Sequence, residues 1–200
     1  MKTAVIVLHG GNFHPSHEAY VDSLQTAKVD IDRLRPSINW KQTLQEELGE
    51  DYEVFLPYMP LRDNAEYELW KLWFEKVMGA LNRPCVLIGH SLGAMFLLKY
   101  LSEQKPKNLI KALFLIAPEY LGSKKEHEKT CFDLKEDISS ITEVVQQIVF
   151  FHSENDPVVL YENQSIFQKL LPKAQYITLS GKGHFNVEQF PELLERIKEV

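Results

Sequence analysis

The chain of 200 residues, 23.2 kDa in mass, is long enough for one sizeable core and short for two, so a single domain spanning 1–200 is expected. Hydrophobic residues at 44% and charged residues at 25% exclude the apolar-poor, charge-rich profile of a disordered chain. A net charge of -6 argues against nucleic acid as a partner, because a phosphate-binding surface concentrates Lys and Arg. The two cysteines, Cys85 and Cys131, lie outside any zinc-ligand spacing and fit a reduced, cytoplasmic protein. The opening apolar run is shorter than the roughly 7–15 residues of a signal-peptide core, and no window reaches the roughly 20 apolar residues of a membrane span.

In chain order, short apolar and often β-branched runs fall at 4–8, 53–56, 85–88, 112–116, 148–152 and 176–179. Most lack polar alternation, as strands covered on both faces do, and the segments between them carry helical periodicity. The expected class is therefore α/β, with a parallel sheet and right-handed crossovers. Ser37 is placed to cap a helix carrying Trp40, Leu44 and Leu48 on one stripe, and Gly49 to end it. Asp63 or Asn64 is placed to cap a longer helix reaching Ala80, with Leu69, Trp73 and Val77 at four-residue spacing and its tryptophans in the core. Leu92, Met95, Phe96 and Leu101 line a helix after the third strand, and Ile166 and Leu170 mark another after the fifth. The stretch between Gly11 and Ser37 far exceeds the usual 2–6 residue connection and is read as a partly helical excursion above the first strand.

Gly89-His90-Ser91-Leu92-Gly93 matches G-x-S-x-G between an apolar strand and an apolar helical run. A serine on such a strained turn needs small flanking residues, because side chains there would collide with neighbouring backbone. Its hydroxyl is a weak nucleophile and requires an imidazole to take its proton, with a carboxylate to orient that imidazole. His184, in a glycine-rich loop after the last strand, is the expected base. Asp156, after the fifth strand, is the expected carboxylate, with Glu154 as its rival. Backbone donors for a developing oxyanion are assigned to Leu92 and to Gly11, with Asn12 as the fallback. His9 and His90 are read as supports of loop geometry. His14 and His17 lack a nearby acidic cluster, so neither a metal nor a cofactor is expected.

With HGG at 9, GHSLG at 89, SENDPVV at 153 and GKGHF at 181, the chain resembles the α/β-hydrolase superfamily over nearly its whole length. Its brevity, with no large insertion between Pro118 and Gln147, is similar to the small serine hydrolases related to retinoblastoma-binding protein nine. The resemblance implies a three-layer α/β/α sandwich on a six-stranded parallel sheet of order 2-1-3-4-5-6, without a large cap domain. It also implies Ser91, Asp156 and His184 as a triad cleaving a small-molecule acyl substrate, a carboxylic ester first and a thioester or amide by the same machinery. An acyltransferase and a catalytically silent binding protein stay open as alternatives. Residues 12–36 depart from the family's open site and are read as a lid-like insertion.

Overall fold

The computed structural model describes residues 2–120 and 130–200. The apolar runs form β1 (Thr3–Leu8), β2 (Tyr52–Phe55), β3 (Cys85–His90), β4 (Ile110–Ile116), β5 (Val145–Ser153) and β6 (Gln175–Leu179). All neighbouring strands pair in parallel in the order β2-β1-β3-β4-β5-β6, as expected. Every residue of β3 is buried, which is why its sequence shows no polar alternation. The strand ends differ from the sequence reading by a few residues, most at β5, where exposed Gln146 interrupts the apolar run.

Helices cover both faces. Residues of α3 (Tyr67–Leu81), α4 (Leu92–Glu103) and α5 (Asn163–Leu170) join Ala4, Ile6, Leu8, Cys85 and Leu87 in one core. Residues of α2 (Trp40–Leu48) and α6 (Pro191–Lys198) join Val5, Val7, Val86 and Ile88 in the other. The alternate residues of β1 and β3 thus feed opposite layers, as the two-residue period of a strand requires. The remaining α-helix among the described residues, α1 (His17–Thr26), buries none of its residues.

Three readings of the helices are corrected and a further helix is added. Asn39, not Ser37, caps α2: its side chain accepts from Lys41 N–H at 3.1 Å, and Gln42 closes a capping box. Helix α3 begins at Tyr67 rather than at 63–64, because Arg62–Asn64 forms a separate 3-10 turn and the Ala65 N–H is taken by the Asn12 carbonyl at 2.7 Å. Its buried stripe is Tyr67, Trp70, Phe74 and Met78, so Trp70 is fully buried while Trp73 is 42% exposed. Apolar residues occupy two adjacent stripes of this helix, and four-residue spacing alone could not tell which one faces the sheet. Helix α6 escaped the sequence reading, although Pro191 at its start and Leu193 and Ile197 four residues apart announce it. The expectation of no large insertion between Pro118 and Gln147 falls partly on 121–129, outside the described residues.

This topology places the chemistry. From β1 the chain moves to one side for β2 and returns to the other for β3, so a crevice opens above the carboxyl ends of β1 and β3. Leu8 pairs with Gly89, His90 with Ile116 and Ser153 with Leu179, which brings the loops after β1, β3, β5 and β6 to one edge of the sheet.

Candidate active site

Ser91 sits between β3 and α4 with φ 55 and ψ -122, a left-sided conformation that a non-glycine residue adopts only when its surroundings enforce it. Its N–H donates to the Ile116 carbonyl at 2.8 Å, which fixes the turn to β4. The flanking glycines are required by close backbone approach. A Cβ on Gly89 would lie 2.5 Å from Ala94 Cα, and one on Gly93 would lie 2.6 Å from the His9 carbonyl oxygen. The helix after the serine can therefore pack directly on the end of β1.

The same packing sets the loop after β1. A Cβ on Gly10 would come within 3.1 Å of Ser91 Cβ, so Gly10 lies against the serine. A Cβ on Gly11 would meet the Arg62 carbonyl oxygen at 2.5 Å. The Asn12 N–H donates to that carbonyl at 3.0 Å and is thereby engaged, whereas the Gly11 and Leu92 N–H groups have no hydrogen-bond acceptor among the described residues. The Leu92 N–H, next in sequence to Ser91, and the Gly11 N–H are thus unengaged, whereas that of the fallback Asn12 is not.

His184 and Asp156 meet. His184 Nδ1 lies 2.8 Å from Asp156 Oδ2, while Asp156 Oδ1 accepts the N–H groups of Val158 at 2.8 Å and Val159 at 3.0 Å. With Nδ1–H committed to the carboxylate, His184 Nε2 is left as the acceptor. Asp156 is 8% exposed; burial alone would raise its carboxyl, but the bonds from His184, Val159 and Val158 outweigh that and hold it below the usual carboxylate range. Glu154, the rival carboxylate, points to solvent. No hydrogen bond joins Ser91 Oγ to His184, a contact that in such sites often tightens only when substrate arrives.

The loop bearing His184 is pinned on several sides. Gly181 and Gly183 carry φ of 75 and 53, and their loop is tied to the β5 loop by Lys182 N–H to Ser153 Oγ at 3.2 Å and Gly183 N–H to Asn155 Oδ1 at 3.1 Å. Trp40 Nε1 donates to the Phe185 carbonyl at 3.0 Å. His90 Nε2 donates to the His184 carbonyl at 2.8 Å, and burial holds this imidazole neutral. His9 donates from Nδ1 to the Gly10 carbonyl at 2.7 Å and accepts the Met59 N–H at Nε2 at 2.9 Å, a pairing that only a neutral ring can make. Burial lowers its pKa accordingly. Both histidines therefore act on loop geometry, in the roles the sequence suggested.

A cleft of about 550 Å³ joins Ser91 and His184, bounded by the loop after β1 and by Asn39, Lys41 and Arg62. Lys41 and Arg62 were not recognised from sequence as site residues, since only the folded crossovers bring α2 and the 62–64 turn to this crevice. Of the 12–36 segment, Asn12 reaches the cleft, while His17 and Tyr20 border a neighbouring groove with Tyr58 and Arg62. Among the described residues, no three His, Cys, Asp or Glu side chains converge as a metal site would require. No helix among them is long and apolar enough to cross a membrane.

Comparison with solved structures places this architecture among hydrolases. The ydeN gene product of B. subtilis superposes with a TM-score of 0.69 at 16% identity, covering 99% of this chain and 98% of that one. Est1E from Butyrivibrio proteoclasticus, in a structure with ferulic acid bound, gives 0.61 at 18% identity over 98% and 87% of the two chains. A thioesterase domain from the curacin biosynthetic pathway gives 0.63 at 11% identity over 98% and 91%. At these identities the likeness is one of fold. A search of curated protein sequences finds no match. The sequence profile of the serine hydrolase family matches residues 35–199, a span that contains Ser91, Asp156 and His184. The chain belongs to the serine hydrolase family.

Proposed function

We propose that this serine hydrolase cleaves small carboxylic esters through an acyl-enzyme on Ser91, with His184 as general base, Asp156 as its orienting carboxylate, and the Gly11 and Leu92 N–H groups as oxyanion donors. The observation that carries this reading is the 2.8 Å contact between His184 Nδ1 and the buried Asp156 carboxylate, at the cleft where Ser91 sits in its strained turn. A surface histidine has no need of an anionic partner held by two backbone N–H groups, whereas a general base does.

The steps follow from those positions. Ser91 Oγ attacks the carbonyl carbon as His184 Nε2 takes its proton, and the carbonyl electrons move onto oxygen between the two backbone donors. Collapse expels the alcohol, which receives the proton from His184. Water then enters, gives a proton to the same nitrogen and attacks the acyl carbon; the second intermediate collapses, His184 returns that proton to Ser91 Oγ, and the acid is released with the free hydroxyl restored. Asp156 stays ionised throughout and stabilises the imidazolium. Esters are favoured over amides because nitrogen resonance makes the amide carbonyl less electrophilic and an unprotonated amide nitrogen leaves less readily than an alkoxide, and thioesters are open to the same attack. The thioesterase domain among the structural neighbours is consistent with that range.

Steady-state hydrolysis of 4-nitrophenyl acetate and butyrate tests the reading. Wild type should turn over at least one, and Ser91→Ala should lower kcat by about a thousandfold or more. Equal rates in the two proteins would remove Ser91 from the reaction.

A further inference from the structure

The cleft carries two cations that the hydrolytic chemistry does not use. Lys41 and Arg62 both border it together with Ser91 and His184, and among the described residues neither is joined to a carboxylate by an ion pair. Among the described residues lining the cleft, Asp63 is the one acidic side chain, exposed and in an ion pair with neither. Opposed cations at a protein surface ordinarily find acidic partners or spread into solvent, and this chain, with a net charge of -6, has acids to spare.

The setting of Lys41 breaks three local rules at once. It stands in the first turn of α2, where the helix dipole is positive and where no acidic residue offsets it. It is only partly exposed, and burial, then the Arg62 charge, lower its pKa to about 8. Among the described residues the favourable contact it makes is with the Trp40 ring, whose centroid lies 4.7 Å from Nζ. A residue kept under such conditions beside a reactive serine is better placed to meet an anion than to stabilise the fold.

We infer that Lys41 and Arg62 form an anion-recognition subsite, and that the preferred substrates are small esters bearing a carboxylate. This rests on the hydrolase reading above and narrows its substrate class. The exposed Arg62 offers a planar fork to a carboxylate and the partly buried Lys41 a point charge on the same cleft, so the anion is held while the ester carbonyl reaches Ser91. The carboxylate can belong to the acyl or to the alcohol portion.

Two matched pairs of esters separate these sources. The first is 4-nitrophenyl hemiglutarate against the 4-nitrophenyl ester of monomethyl glutarate; the second is 4-acetoxybenzoate against its methyl ester. Wild type should prefer the anionic member of at least one pair in kcat/KM, and Lys41→Gln combined with Arg62→Gln should reduce that ratio by about tenfold, mostly through KM. The ratio cancels any general change in turnover. Arg62→Gln alone, at an exposed side chain, serves if the double variant folds poorly, and should lower the ratio in the same direction. Preference for the neutral member in both pairs, or an unchanged ratio in the variants, would overturn the inference while leaving Ser91 hydrolysis intact. Hydrolysis of none of the four esters by a protein that a fluorophosphonate still labels at Ser91 would also overturn it. Absence of both labelling and hydrolysis would instead remove the hydrolase reading, and this inference with it.

Discussion

The floor of the cleft and the segment that rises beside it are built on opposite principles. On the floor, three glycines are placed where an added Cβ would fall within about 2.6 Å of backbone; hydrogen bonds through Ser153, Asn155 and His90 join the ends of β3 and β5 to the loop after β6, and His9 joins the loop after β1 to that after β2. In the 12–36 segment, α1 has a Ser16 cap but buries no residue, and Leu24, Val29, Ile31 and Leu34 face solvent. Geometry that must hold reacting atoms in place is over-determined; geometry that only borders them is left loose. Substitutions on the floor should therefore cost activity or stability steeply, and substitutions in the segment should change mainly what is bound.

The steepest loss is expected at the carboxylate. Asp156→Asn keeps the shape but lets His184 adopt the wrong tautomer, so kcat should fall by about ten-thousandfold with thermal stability little changed, measured by ester turnover beside a melting curve. Retention of more than a tenth of the activity would show that the floor is less exacting than its contacts suggest. Next comes Gly93→Ala, whose methyl would press on the His9 and Leu8 carbonyl oxygens at 2.6 and 2.7 Å. It should cost about 1–3 kcal/mol in urea unfolding and detach α4 from β1.

Lys41 allows a test in which the rim stabilises nothing by itself. Because folding lowers its pKa from 10.5 to about 8, the folded state penalises the charged form, fully below pH 8, and the penalty disappears as pH rises toward 10.5. Lys41→Met should thus raise unfolding stability by about 1–3 kcal/mol at neutral pH, with the gain shrinking between pH 8 and 10.5. A destabilised variant would mean that Lys41 is a structural residue. The smallest stability effect is expected in the segment: Leu24→Ser or Val29→Ser should stay within about 0.5 kcal/mol of wild type. Deleting 17–30 should reorder rates across esters of different size if this segment acts as a lid, and identical rankings would leave it without that role.

The contrast also explains what could be read in advance. Buried parallel strands leave unbroken apolar runs, and a strained serine turn demands glycines at set offsets, so the sheet and the loops bearing Ser91, Asp156 and His184 were visible in the sequence. The face of α3 was not, because Leu69 and Trp73 lie on an apolar stripe next to the one carrying Trp70 and Phe74, and neither propensity nor spacing separates them. The start of α2 was placed two residues early because Ser37 and Asn39 are both good caps, and the reciprocal bond from Gln42 selects Asn39. Lys41 and Arg62 were unreadable for a different reason: each is an unremarkable cation on its own element, and their meaning comes from convergence on one cleft.

Fluorophosphonate labelling of folded protein, compared among wild type, Ser91→Ala and His184→Ala, tests the central claim most directly. The account predicts rapid labelling of wild type at Ser91, none in Ser91→Ala, and labelling slowed by about a thousandfold in His184→Ala. Folded wild type that stays unlabelled, or Ser91→Ala that labels as fast as wild type, would contradict it.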